Sequence, residues 1–162
     1  MIRRATADDA RGIAEVHTRA WQVAYRHVFP PEALDAISVD EREERWRQNL
    51  ADDDVEVLVA EEDGRVAAWA TVGPSRDLDC DGELYGIYAA PEAWGGGAGG
   101  AVMERALEEL RARFQEAILW VLSDNPRARR FYEKHGWTLD GATKRGHHLG
   151  VDTDEVRYRI TL

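Results

Sequence analysis

The chain reads as a mixed α/β protein, a mostly antiparallel sheet with one parallel pair of strands near its centre. Three features predict it. Residues 83–122 run strand, glycine loop, amphipathic helix and a second, nearly all-apolar strand, which is one βαβ unit and so two parallel strands. Glu62-Asp63-Gly64 is a tight-turn signal between two β-favouring runs, so the strands before that unit pair as a hairpin. Two more β runs follow a last helix. At 162 residues the chain fits one domain, 1–162, large enough for a single substantial core, with no repeat and no linker.

Taken in order, Ile2 to Ala5 is a short first strand. Thr6 with Asp9 three residues on opens a helix whose buried stripe is Ile13, Val16, Ala20, Val23 and Ala24, and Pro30-Pro31 stops what precedes it. Ser38-Val39-Asp40-Glu41 is a capping box for a second helix, to about Leu50. Its run from Arg42 through Trp46 to Arg47 reads as a solvated face. After a polar turn at 51–54 come a strand from Val55 to Ala60 and its return from Arg65 to Val72. Gly73 to Asp81 is a polar loop with freedom to move. Glu83 to Ala89 is the next strand, and Val102, Met103, Ala106, Leu107, Leu110 and Phe114 mark the helix after the glycines. Ala117 to Leu122 has the continuous apolar character of a strand buried on both faces. Asn125-Pro126 starts a helix that Gly136 ends. The last strands are Trp137 to Thr143 and Glu155 to Leu162, joined by a polar loop through Lys144 to Asp154.

Composition narrows the function. A formal charge of −10 argues against nucleic acid, which wants a basic face, and is compatible with a cationic substrate. Cys80 is the one cysteine, so neither a disulfide framework nor a multi-thiol metal site is expected. His147-His148 would point apart on an extended chain and lack a third ligand, so no metal is assigned. With no apolar leader and no run of membrane-spanning length, the expected compartment is the cytoplasm, with no membrane partner.

The glycine loop carries the chemistry. Five glycines lie between Gly95 and Gly100, interrupted only by Ala98. A glycine loop leading into a helix offers bare backbone N–H groups and the positive dipole end to an anion, here a pyrophosphate. No Gly-Lys-Ser/Thr follows, so the loop is not of the Walker type. Gly95, Gly97 and Gly100 fit the dinucleotide fingerprint, but that fingerprint should open a βαβ series, and this one lies mid-chain after a hairpin.

Pro91-Glu92 followed by Gly95, Gly97 and Gly99, after the strand containing Leu84-Tyr85 and Tyr88, resembles the coenzyme A loop of the GNAT superfamily of N-acyltransferases. The family pattern Gln/Arg-x-x-Gly-x-Gly/Ala falls on Trp94, Gly97 and Gly99. Trp94 stands where Gln or Arg is usual and Gly96 where a basic residue is common, which leaves the backbone N–H groups for the phosphates. A second motif, Asn125 with Ala128, Phe131, Tyr132, Gly136 and Trp137, matches the family pattern at every position. The resemblance covers almost the whole chain. It implies helices on both faces of the sheet and a central parallel pair splayed by a bulge. Acetyl-CoA is the implied co-substrate, with its arm along Ile87, Tyr88 and Ala89 and its pyrophosphate on Trp94, Gly95, Gly96, Gly97, Ala98, Gly99 and Gly100. Asn125, Ala128 and Phe131 are then the contacts from the helix that follows.

An amine of pKa near 10.4 must lose a proton before it attacks a thioester, and the thiolate that leaves needs an acid. The resemblance implies Tyr132 as that acid, near the sulfur, and Glu83 as the base, acting through water. Strand alternation puts Glu83, Tyr85 and Ile87 on one face and Leu84, Gly86 and Tyr88 on the other, unless a bulge intervenes. Otherwise Glu83 is an exposed strand-edge charge, Tyr132 a packed aromatic and Asn125 a helix cap. Arg127, Arg129 and Arg130 read as solvated charges that could reach the phosphates. The aromatic group Trp21, Tyr25, His27, Phe29 and Trp46 lies where the resemblance implies the acceptor wall. The expected reaction is acetyl transfer to a small-molecule or peptidic amine, and a homodimer is compatible with it. A silent acyl-CoA-binding domain and a nicotinamide dinucleotide enzyme are the other readings.

Overall fold

The computed structural model describes all 162 residues. One seven-stranded sheet runs in the order β1-β2-β3-β4-β5-β7-β6. Its first strands are β1 (Ile2–Arg4), β2 (Glu56–Glu62) and β3 (Arg65–Pro74). The central pair is β4 (Gly82–Ala89) and β5 (Glu116–Leu122), and the closing strands are β6 (Thr138–His148) and β7 (Val151–Thr161). Every neighbouring pair is antiparallel except β4 and β5. The expected fold class is the one observed.

Helices cover both faces. On one side α4 (Ala98–Arg113) and α5 (Pro126–Lys134) close the larger core, where Val102, Met103, Leu107 and Leu110 meet Leu58, Ala70, Leu84 and Leu119. On the other, α1 (Ala10–Ala24) and α3 (Val39–Leu50) pack Ile13, Val16 and Trp46 on Val57, Val59 and Trp69. The stripe of α1 holds for Ile13, Val16 and Ala20, whereas Val23 is 52% exposed. The five-residue α2 (Pro31–Asp35) has no counterpart in the sequence reading: Pro31 starts it, and Leu34 seals a small core with Tyr25, Phe29 and Leu122.

Turn chemistry sets the hairpins. Asp63 and Gly64 both take positive φ, the two-residue turn that suits the twist of β2 and β3. Residues 144–154 are not a loop. They are the paired ends of β6 and β7 around a turn at Leu149 and Gly150, both at positive φ. Cross-strand polar pairs, the Arg145–Asp154 ion pair at 2.7 Å and the His147–Asp152 hydrogen bond at 2.8 Å, line up the polar residues that give the segment its loop-like composition.

The polar segment after β3 is anchored to the sheet. Asp79 meets Arg157 at 2.7 Å and Arg159 at 3.0 Å, Asp77 accepts from the Trp120 indole at 3.0 Å, and Asp81 accepts the backbone N–H groups of Gln115 and Glu116. Arg159 also reaches Glu116, and Arg157 also reaches Asp140 at 2.7 Å. No helix is long and apolar enough to cross a membrane.

Candidate active site

The site begins where the sheet opens. Parallel pairing between β4 and β5 is confined to Gly82 with Ala117 and Glu83 with Ile118. Beyond that point β4 stays with β3 as far as Ala89, and β5 stays with β7 as far as Leu122, so the central strands part. Ile87, Tyr88 and Ala89 therefore have no strand on their β5 side.

A bulge accompanies the parting. Thr71 faces Gly86 while Val72 faces Leu84, so Tyr85 is the extra residue. It resets the alternation: Leu84 and Ile87 share the larger core, while Gly86 lies against Trp69, and Tyr88 packs with His17 and Trp69 on the opposite face. The simple odd–even split of β4 is corrected accordingly.

Beyond β4 a single 3₁₀ turn at Pro91–Ala93 leads into the glycine loop. Gly95 and Gly97 sit at φ +78° and +98°, and Gly97 is the N-cap of α4. Here side chains are strained, which is why glycine is needed. The helix starts earlier than its apolar repeat suggested, so Gly99 and Gly100 form its first turn. Ala101 is the first residue to donate back, to the Gly97 carbonyl, which leaves the N–H groups of Ala98, Gly99 and Gly100 without helical acceptors. A Cβ on Gly99 would lie 3.9 Å from Ala89 and from Phe131, so this turn rests on the end of β4 and on α5. Bare N–H groups, left-handed glycines and the positive helix end form a cradle that fits a pyrophosphate.

Trp94 points away from anion binding and serves as a platform. Its Nε1 donates to the Ala89 carbonyl at 2.9 Å, and the Arg127 guanidinium lies 3.6 Å from the ring centroid. Arg127 has no carboxylate partner, and burial lowers its pKa. Positions 94 and 96 carry no basic residue, and Arg127 of α5 is the cation stacked on Trp94.

On the far side of the gap, Asn125 caps α5. Its Oδ1 accepts from the Ala128 N–H at 3.1 Å and its Nδ2 donates to the Tyr25 hydroxyl at 3.2 Å, which lies 3.3 Å from the Tyr88 hydroxyl. Ala128 and Phe131 border the larger core. The Tyr132 ring is buried and close to Tyr88, its hydroxyl has no hydrogen-bond partner in the protein, and burial raises its pKa. Burial likewise raises Tyr25 and Tyr88.

Glu83 is no exposed edge charge. It is 1% exposed, at the paired root of the gap. One oxygen accepts from the Arg76 N–H at 2.9 Å and the other meets the Arg76 guanidinium at 2.5 Å. Arg76, itself 65% exposed, covers the carboxylate on the solvent side, and its pKa is raised by that bond.

Next to Tyr88 a cavity of about 420 Å³ opens between α1, α3 and the β6–β7 turn. Trp21 and Trp46 line it, and Tyr25 and Phe29 back it from the small core, whereas His27 turns away to the Asp124 carbonyl. His17 also lines it, within 6 Å of Trp21, Trp46, Trp69 and Tyr88, with Nδ1 buried and unpartnered; burial pushes its pKa down to about 3. Arg42 and Arg45, taken from sequence as part of a solvated face, are in this wall. The pattern that could have found them is spacing: positions 17 and 21 on α1, and 42, 45, 46 and 49 on α3, each fall on one helix face. His147 and His148 border the same cavity, with His148 edge-on to Trp21.

Comparison with known proteins agrees with this geometry. The model of the acetyltransferase (GNAT) family matches residues 13–137. An uncharacterised N-acetyltransferase of Bacillus subtilis is 33% identical over 129 residues, 77% of this chain and 73% of that one. A probable N-acetyltransferase of Mycobacterium tuberculosis is 29% identical over 162 residues, 98% of this chain and 92% of that one. Among solved structures, a ribosomal-protein-alanine N-acetyltransferase from Brucella melitensis superposes with TM-score 0.77 at 27% identity, covering 100% of this chain and 99% of that one. The PaiA N-acetyltransferase from Thermoplasma acidophilum, in complex with coenzyme A, gives TM-score 0.80 at 18% identity, covering 100% and 98%.

Proposed function

The chain belongs to the acetyltransferase (GNAT) family, and we propose that it transfers the acetyl group of acetyl-CoA to a primary amine by direct attack in the gap between β4 and β5. The observation that carries this is the gap itself, with the glycine cradle at one end and the unpartnered Tyr132 hydroxyl beside it. Acetyl-CoA supplies the thioester carbon that the amine attacks.

The chain's own groups do the rest. The N–H groups of Ala98, Gly99 and Gly100 hold the pyrophosphate, with Arg127 on its Trp94 platform as the added cation. Ile87, Tyr88 and Ala89 offer the open edge of β4 to the pantetheine arm, and Asn125, Ala128 and Phe131 face it from α5. As the nitrogen–carbon bond forms and the carbon–sulfur bond breaks, Tyr132 gives its proton to the sulfur. The amine's proton passes through water to Glu83, a role that requires the exposed Arg76 to swing aside. Cys80 is a free thiol outside the gap and has no part in the transfer. We place the enzyme in the cytoplasm.

The dinucleotide reading of Gly95, Gly97 and Gly100 is dropped, because the sheet has a single parallel pair and no doubly wound order. Thermal unfolding with coenzyme A, acetyl-CoA and NAD, alongside thiol release across an amine panel, tests the proposal. The Tm should rise with the first two ligands only, since a ligand of the native state stabilises it, and thiol should appear with at least one amine. Binding without turnover on any amine would leave a silent acyl-CoA domain.

A further inference from the structure

The cavity beside Tyr88 is basic in a protein whose net charge is −10. Arg42 and Arg45 lie in its wall, and no aspartate or glutamate does. Neither arginine has an ion-pair partner, although Arg11 and Arg47, on the outer sides of α1 and α3, are paired with Glu43. Arg42 is the more constrained of the two. Its guanidinium lies 5.1 Å from the centre of the Trp21 ring, and its Nη1 is buried with no hydrogen-bond partner. Burial and then the like charge of Arg45 push its pKa down to about 10.

A half-buried cation beside a second cation, with an unused donor, is an unfavourable arrangement for the empty protein. It becomes favourable when an anion enters. A guanidinium fork matches a carboxylate in two-point geometry, and that bond is stronger in a cavity walled by indoles than in open water. The cavity also has an apolar side, Trp21 and Trp46, and its volume of about 420 Å³ suits a small molecule. His17 at the inner end touches Tyr88, and Tyr88 borders the gap where the thioester would lie. An amine acceptor reaching the gap from this side therefore passes the two arginines. A polyamine-like cation would meet two like charges here, so the overall acidity of the chain is a poor guide to its substrate.

Building on the proposed acetyl transfer, we propose that the acceptor is an amino-acid-sized amine that also carries a carboxylate, held by Arg42 and Arg45 while its side group packs on Trp21 and Trp46. The carboxylate fixes the acceptor at the mouth of the cavity and the amine points past His17 toward the gap.

The test is calorimetric binding to the full chain saturated with coenzyme A, using the reaction-product analogues N-acetylalanine, N-acetylmethionine and N-acetylphenylalanine, each beside its own amide. At least one acid should bind about 10- to 100-fold more tightly than its amide, the range one charge-assisted hydrogen bond is worth. Arg42→Met and Arg45→Met should each reduce that ratio, and Arg42→Lys should keep part of it, since it retains charge without the fork. Arg45 is exposed, so Arg45→Met serves even if Arg42→Met unfolds. Acids that bind no better than their amides, or a ratio that survives in both methionine variants, would overturn the inference. Binding is read without turnover: a ratio that holds while no amine releases thiol sinks the catalytic proposal alone, and turnover without the ratio sinks this inference alone.

Discussion

Tyr132→Phe separates chemistry from packing because of what the hydroxyl does not touch. The ring is buried, 5.8 Å from Phe131 and 6.1 Å from Tyr158, and phenylalanine keeps those contacts. The hydroxyl makes no hydrogen bond in the protein. Its removal breaks none, so the change in unfolding free energy should stay below the roughly 1 kcal/mol that a hydrogen bond is worth. Tyr158→Phe is the contrast, because that hydroxyl donates to Glu133 at 2.7 Å and accepts from Arg129 at 3.1 Å, and its loss should cost about 1–3 kcal/mol. If Tyr132 is the acid for the leaving thiolate, kcat should nevertheless fall about 10²-fold, which is about 2.7 kcal/mol of barrier, with KM for acetyl-CoA little changed. Burial also raises its pKa above the ordinary 10, so the parent's kcat should show no loss of this proton below pH 10. Denaturant unfolding and thiol-release kinetics on both variants give the two numbers. Unchanged kcat for Tyr132→Phe would reduce Tyr132 to a packing residue, and a stability loss like that of Tyr158→Phe would mean that its hydroxyl is hydrogen-bonded in the fold.

Four other perturbations follow from the same geometry. Gly97→Val forces a β-branched residue to φ +98°, a strain of about 1–3 kcal/mol, and should abolish coenzyme A binding by calorimetry, while Arg127→Gln should weaken it; parent-like affinity in the valine variant would remove the loop as the pyrophosphate site. Glu83→Gln should lower kcat/KM at neutral pH and recover part of it as pH rises and free amine accumulates, whereas superimposable pH profiles would leave Glu83 only its bond to Arg76. His17, with its pKa down from 6.5 to about 3, lacks a proton that the unfolded chain binds between those values, so stability rises with pH across that window by about 1.4 kcal/mol per unit and is lost as pH drops through it. His17→Gln should remove close to one proton from the slope of stability against pH between pH 6.5 and 5, and an unchanged slope would mean that His17 is not buried neutral.

What could be read from the sequence follows from how local each signal is. The strand, glycine loop and helix at 82–113 were legible because periodicity and glycine placement act within a few residues, and Gly136 at φ +93° stops α5 for the same local reason. The polar halves of β6 and β7 have the composition of a loop because their strand character lies in cross-strand polar pairs, which composition cannot display. α2 is too short to show a period. Glu83 is covered by Arg76, which folds over it from the segment before β4, and the bulge at Tyr85 depends on pairing with β3, so neither is visible along β4 alone. Arg42 and Arg45 were set aside since a charged helix shows its spacing but not which side it turns to α1; packing of Trp46 on Trp69 decides that.

Direct transfer requires amine and acetyl-CoA to be bound together, which initial velocities measured over a matrix of both concentrations reveal. Lines of reciprocal rate that intersect, with the intact mass of the protein unchanged after acetyl-CoA alone, are the predicted result. Parallel lines together with a protein one acetyl group heavier would show a covalent acetyl-enzyme and rule out direct transfer.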